Sequence, residues 1–165
     1  MDEIKIDIEN YNTNSYTGDF DLLCVEKIDR IDRITNCSLV TVRAGNDRMC
    51  IRIKFEWKEA NTFNNSDFLY IPETNILFFR SQNQWGAIDL EHKSLKRHES
   101  AMWMPLIQRT DKYVLIEDDL RAESTKLNGD MIDSVPIDPP TESMEFDDRI
   151  EYQSPIFGRQ ILRTK

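Results

Sequence analysis

MCIRIKFEW (residues 49–57) sets Ile51, Ile53, Phe55 and Trp57 on one side of an extended chain, with Arg52, Lys54 and Glu56 on the other and Lys58 following in phase. A period of two is that of a strand with one buried face. Just before it, CSLVTVR (37–43) is a second apolar run, and between them Ala44-Gly45-Asn46-Asp47 supplies residues that tolerate positive φ. The two runs therefore read as a hairpin. EIKIDIEN (3–10) alternates in the same way, with Ile4, Ile6 and Ile8 against Lys5, Asp7 and Glu9, and opens the chain as another half-buried strand.

The pattern continues downstream. Apolar runs at 68–71, 76–80 and 85–90 are separated by Pro72-Glu73-Thr74-Asn75 and Ser81-Gln82-Asn83-Gln84, which reads as a meander of neighbouring antiparallel strands. MWMPLI (102–107), KYVLIE (112–117), MIDSVPID (131–138) and FGRQILR (157–163) extend it, with Asn128-Gly129 as a strong hairpin turn. Pro105 and Pro136 each lack a ladder donor and belong at edges or bulges, while Pro139-Pro140-Thr141-Glu142-Ser143 reads as a loop. KIDRIDRI (27–34), with Ile28, Ile31 and Ile34 three apart, suits one short helical turn. The chain has only five alanines, and Leu, Ile, Val and Phe make up 43 of its 165 residues, enough for a folded core rich in branched side chains. The expected fold is a single all-β domain over residues 1–165, mainly an antiparallel meander closing as a sandwich, a barrel or a half-propeller. ILFFRSQNQWGAIDLEHKSLKRHES (76–100), with its strand, polar turn and Trp-Gly-x-Ile-Asp-Leu strand, resembles one hairpin of a propeller blade.

Side chains able to do chemistry are sparse. Cys24, Cys37 and Cys50 form no Cys-x-x-Cys pair and each lies in an apolar stretch, so all three are expected to be reduced and to behave as small hydrophobes. His92 and His98 stand in what reads as an exposed turn, without a third ligand in phase. No Gly-rich phosphate loop, dinucleotide fingerprint or Gly-x-Ser-x-Gly elbow occurs, so no cofactor and no catalytic residue is expected. Trp57, Trp85 and Trp103 fall in predicted strands and are expected in the core, with Met102-Trp103-Met104 beside Pro105 open to a second reading as an exposed interface anchor. There is no apolar run long enough for a membrane helix, and residues 1–5 lack the character of a signal peptide, so a cytoplasmic location is expected.

Charge is the informative feature. The net charge of −9 arises in residues 111–151, with 13 acidic and 4 basic groups; residues 1–110 carry −3 and residues 152–165 carry +3. Such a tract repels phosphate backbones and argues against direct nucleic-acid binding. It suits a basic protein partner. In overall character, small, acidic and without catalytic motifs, the chain resembles the immunity proteins of bacterial contact-dependent growth inhibition and related polymorphic toxin systems. That resemblance implies a protein that binds and neutralises a cognate basic toxin domain such as a nuclease. An acidic face would cover the toxin's cationic active site and speed association by complementary fields. The candidate partner-binding residues are those of the acidic tract: Glu117, Asp118, Asp119, Asp130, Asp133, Glu142, Glu145, Asp147 and Asp148. Two other readings stay open, a Mg²⁺-dependent hydrolase with Asp111, Glu117 and Asp119 as ligands, and a scaffold subunit that pairs through its strand edges.

Overall fold

The computed structural model describes residues 4–27, 34–45, 49–58 and 62–165. The KIDRIDRI stretch and the tip of the first hairpin, Asn46 and Asp47, lie outside them apart from Lys27 and Ile34. Within the described residues the fold is all-β. The regular helix consists of one 3₁₀ turn, Asn65–Asp67, held by Asn64 and Asp67 in a capping box.

The first sheet holds β1 (Ile4–Tyr11), β2 (Leu22–Val25), β3 (Ile34–Ala44) and β4 (Met49–Lys58) in the order β1-β3-β4-β2. The predicted hairpin of β3 and β4 is its centre, with Val40 opposite Ile53 and Val42 opposite Ile51, and Gly45 takes φ 62° after β3. β2 departs from the meander, since it runs parallel to β4, Leu22 beside Ile53 and Cys24 beside Phe55. The second sheet is a true meander of β5 (Phe68–Ile71), β6 (Ile76–Ser81), β7 (Gln84–Asp89) and β8 (Ser94–Ser100). The third is another, β9 (Leu106–Arg109), β10 (Tyr113–Glu117), β11 (Arg121–Lys126) and β12 (Met131–Pro136). The fourth has three strands, β13 (Glu142–Glu145), β14 (Arg149–Ser154) and β15 (Gly158–Arg163).

These sheets pack face to face in chain order, each on the next. Ile51, Ile53, Phe55 and Trp57 of the first sheet meet Leu77, Phe79 and Ile88 of the second, with Phe63 wedged edge-on against Phe55 and Trp57. On the second sheet's other face Phe78, Trp85 and Ala87 meet Val114 and Ile116 of the third. The third sheet turns Tyr113, Ala122 and Val135 to Ile150, Tyr152 and Leu162 of the fourth. A sheet buried on both faces must be apolar at every position, which is why β6 reads ILFF rather than alternating. Gly86 is a tight point of the second sheet, because a Cβ there would lie 2.4 Å from ring carbons of Phe79.

Several sequence expectations change here. Residues 102–104 are not strand: β9 starts only at Leu106, after Pro105, and Trp103 is 59% exposed while Trp57 and Trp85 are buried. Glu142 and Ser143 begin a strand, so the predicted loop shortens to the residues around Pro139 and Pro140. Cys24 and Cys37 are buried as expected, with burial raising the Cys24 thiol pKa to about 12, whereas Cys50 is exposed because it alternates with the inward Ile51. His98 is not in a turn but on β8, its ring tilted against that of Phe79 at 5.7 Å, and burial followed by the charge of Lys27 lowers its pKa to about 4.

Candidate functional site

The acidic tract divides between opposite ends of the third and fourth sheets, because β10 to β14 traverse the molecule several times. A strand rises roughly 3.3 Å per residue, so the two ends of β10 lie more than about 10 Å apart.

At one end stand Glu117, Asp118 and Asp119, in and after the last residue of β10. Asp118 Oδ1 accepts from the backbone N–H groups of Leu120 and Arg121, both at 2.8 Å, and so closes the turn into β11. Asp119 is exposed at its tip. Glu117 faces inward and accepts from the Tyr152 hydroxyl at 2.6 Å, which makes it a link between the third and fourth sheets. Apolar side chains crowd the same end. Leu106, 47% exposed, pairs with Glu117 in the ladder. Met102, Trp103 and Met104 immediately precede it. Leu120 is exposed in the β10–β11 turn, and its carbonyl accepts from Ile137 N–H at 3.0 Å. The next residue, Asp138, is buried and accepts from the N–H of Ile156, whose side chain, with that of Phe157, is exposed in the β14–β15 turn. Leu106, Leu120, Ile156 and Phe157 thus lie exposed at the end of the sheets that carries Asp118 and Asp119, and Trp103 stands in the connection that enters β9 there.

At the opposite end, Asp111, Glu145, Phe146 and Asp147 line a shallow recess of about 410 Å³ together with Thr110, Lys112 and Tyr113. Glu145 accepts from the Tyr113 hydroxyl at 2.8 Å. Asp148 lies beside Arg149, and Asp130, in the β11–β12 turn, is ion-paired to Lys96 at 2.9 Å, which holds its carboxyl below the usual carboxylate range. The two remaining candidates lie elsewhere. Asp133 on β12 binds Arg163 at 3.0 Å, and Glu142 is exposed on the outer face of β13.

Burial, then the hydrogen bond to Glu145, raises the Tyr113 pKa to about 12; burial and Glu117 push Tyr152 in the same direction. A raised tyrosine pKa means the folded chain keeps a proton that the unfolded chain releases. Stability from this source is complete below pH 10 and lost as pH rises towards 12. Urea midpoints measured across that window should fall, and Tyr152→Phe should reduce the slope. An unchanged midpoint in the wild type would show that the tyrosine–glutamate pairs are not formed.

The proposed metal triad is not assembled. Asp111 precedes β10 and Glu117 ends it, so the strand itself separates them. Among the described residues, no group of three His, Cys, Asp or Glu side chains is placed to hold a metal ion. Glu123 is committed to Arg97 across the second and third sheets. No helix among the described residues is long and apolar enough to cross a membrane. The exposed apolar group around Trp103 goes against the expected core packing and matches the other reading of Met102-Trp103-Met104, an exposed edge; MWMPLI looks like a strand, and Pro105 was the available signal that the strand begins later.

No known protein family and no curated protein matches the chain. Among solved structures it is similar to Hsv2p of Kluyveromyces lactis, at 14% identity and a TM-score of 0.40, over 78% of this chain and 43% of that one. It is also similar to Hsv2 of Kluyvelomyces marxianus, at 11% identity and a TM-score of 0.37, over 72% and 40%. A third is BamB from Moraxella catarrhalis, at 10% identity and a TM-score of 0.24, over 84% and 58%. The chain spans less than two thirds of the length of each.

Proposed function

We propose that the chain is an immunity protein that binds and neutralises a cognate bacterial toxin domain with a basic active-site surface, a nuclease being the toxin class that such a surface fits. The observation that carries this reading is the end of the third sheet, where Leu106 and Leu120 stand exposed with Asp118 and Asp119 and the exposed Trp103 lies in the connection into β9. Protein interfaces concentrate their energy in large apolar anchors ringed by polar groups, with tryptophan prominent among them. Carboxylates at the rim favour a cationic partner and steer its approach. The recess at the other end adds to the negative field, and its exposed aromatic, Phe146, is covered by the Arg149 guanidinium at 4.4 Å. Expression of the chain beside a toxin encoded next to it should restore growth of a sensitive cell, and the two should purify as an equimolar complex. Growth arrest despite full expression of the chain would refute the reading.

A further inference from the structure

We propose that Arg80 is a positioning residue for partner binding: from β6 it holds the connection between β8 and β9 in one outward-turned conformation, so that Trp103 is presented already in place. This inference rests on the docking role given above to Trp103 and adds the device that fixes it. The connection runs from Ala101 to Pro105, and three consecutive side chains in it are exposed, Met102 at 62%, Trp103 at 59% and Met104 at 43%. Among the described residues no hydrogen bond reaches any of the three. The shape of the segment is therefore set at its two ends.

Both ends are tied to one hairpin. Ala101 packs against the apolar cluster between the second and third sheets, and its N–H donates at 2.7 Å to the carbonyl of Asn83 in the β6–β7 turn. Pro105 is buried, its φ is fixed by its ring, and its carbonyl accepts from Arg80 Nη1 at 3.1 Å. Of these two ties only the second is made by a side chain. Arg80 is itself placed from behind by Asp67, which is buried in the 3₁₀ turn with its Oδ1 3.8 Å from Arg80 Nε. Neither of those two atoms has a hydrogen-bond partner, so the charge pair is what offsets their burial. The other Asp67 oxygen accepts from the Asn64 N–H at 2.9 Å, and the turn that leads into β5 thus reaches the exposed connection through one guanidinium. Fixing a binding segment before contact removes an ordering cost from the complex; a segment competent only a tenth of the time binds about tenfold more weakly.

The test combines Asp67→Asn with Arg80→Met, which removes both charges together, leaves an amide oxygen for the Asn64 N–H and should melt close to the parent chain. Backbone amide order parameters of Met102 to Met104, from nuclear magnetic relaxation, should be about 0.85 in the parent and fall below about 0.6 in the paired variant. Arg80→Lys, still able to donate to the Pro105 carbonyl, should keep the parent values. Binding to the toxin domain encoded beside the chain should weaken about tenfold in the paired variant. In a Trp103→Ala background the same pair should cost little more, which a merely structural role would not produce. Low order parameters in the parent, values that the paired variant leaves unchanged, or a binding loss that adds in full to that of Trp103→Ala would overturn the positioning role. A rigid connection that the paired variant loosens, in a chain that binds no toxin, would instead refute the immunity reading and leave the hold of Arg80 on Trp103 standing.

Discussion

If the chain is the immunity protein proposed above, Trp103→Ala should raise the rate of dissociation from its toxin by about 30-fold or more, corresponding to the 2 kcal/mol or greater of a tryptophan anchor. The ring is 59% exposed in the free protein and lies outside the three buried clusters, so its removal should leave the melting temperature nearly unchanged. Asp118 and Asp119 should behave differently. Asp119→Asn at the turn tip should slow association, more at low salt than near 0.15 M, where the field is screened over about 8 Å. Asp118→Asn keeps an acceptor for the Leu120 and Arg121 N–H groups and removes only the charge. Glu117 does not belong with these two: its replacement withdraws the acceptor of the buried Tyr152 hydroxyl and should appear as lost stability. Stopped-flow mixing separates the cases. If Trp103→Ala and Asp119→Asn change neither rate constant, the partner does not dock on this end of the molecule.

Glu123→Ala should be the most destabilising change among the charged residues, by about 3–5 kcal/mol. Glu123 is 1% exposed between the second and third sheets, where it binds the guanidinium of Arg97, and that guanidinium lies 4.8 Å over the ring of Trp85. Removing the carboxylate leaves a guanidinium that is only 18% exposed with Glu99, at 3.3 Å, as its remaining carboxylate partner. At roughly 2–4 °C per kcal/mol for a domain of this size, the melting temperature should fall by about 10 °C. Replacing both partners with apolar side chains, Arg97→Met with Glu123→Leu, should recover most of the loss, because the desolvation cost disappears together with the attraction. A single variant melting within about 1 °C of the parent would show that the pair contributes nothing to the junction.

How legible these features were in the sequence depended on how local their causes are. β1, and the β3–β4 hairpin apart from its tip, follow from alternation and from Gly45, and the meander of β5 to β8 from apolar runs cut by polar turns. The parallel insertion of β2 beside β4 was not legible, since four residues carry no mark of the partner they will choose. Trp103 was misplaced because a hydrophobic hexamer looks the same whether it enters a sheet or leaves one. The acidic tract was visible as a count but not as a place: sequence clustering becomes spatial clustering only if the chain does not reverse, and between residues 111 and 151 it reverses repeatedly. The commitments of Glu117 to Tyr152 and of Glu123 to Arg97 are contacts between sheets far apart in sequence, which no periodicity encodes.

Because, among the described residues, each sheet shares buried clusters only with its neighbours in the row, the molecule resembles a linear lattice of coupled units more than a single core. In such a lattice, opening a terminal unit breaks one interface, whereas opening an inner unit breaks two. Amide hydrogens of β14 should accordingly exchange through a local opening that spares the rest, and those of β7 only when the whole lattice melts. The same arithmetic makes the fourth sheet tolerant: sequence drift there perturbs one described boundary and leaves the interior cooperativity intact.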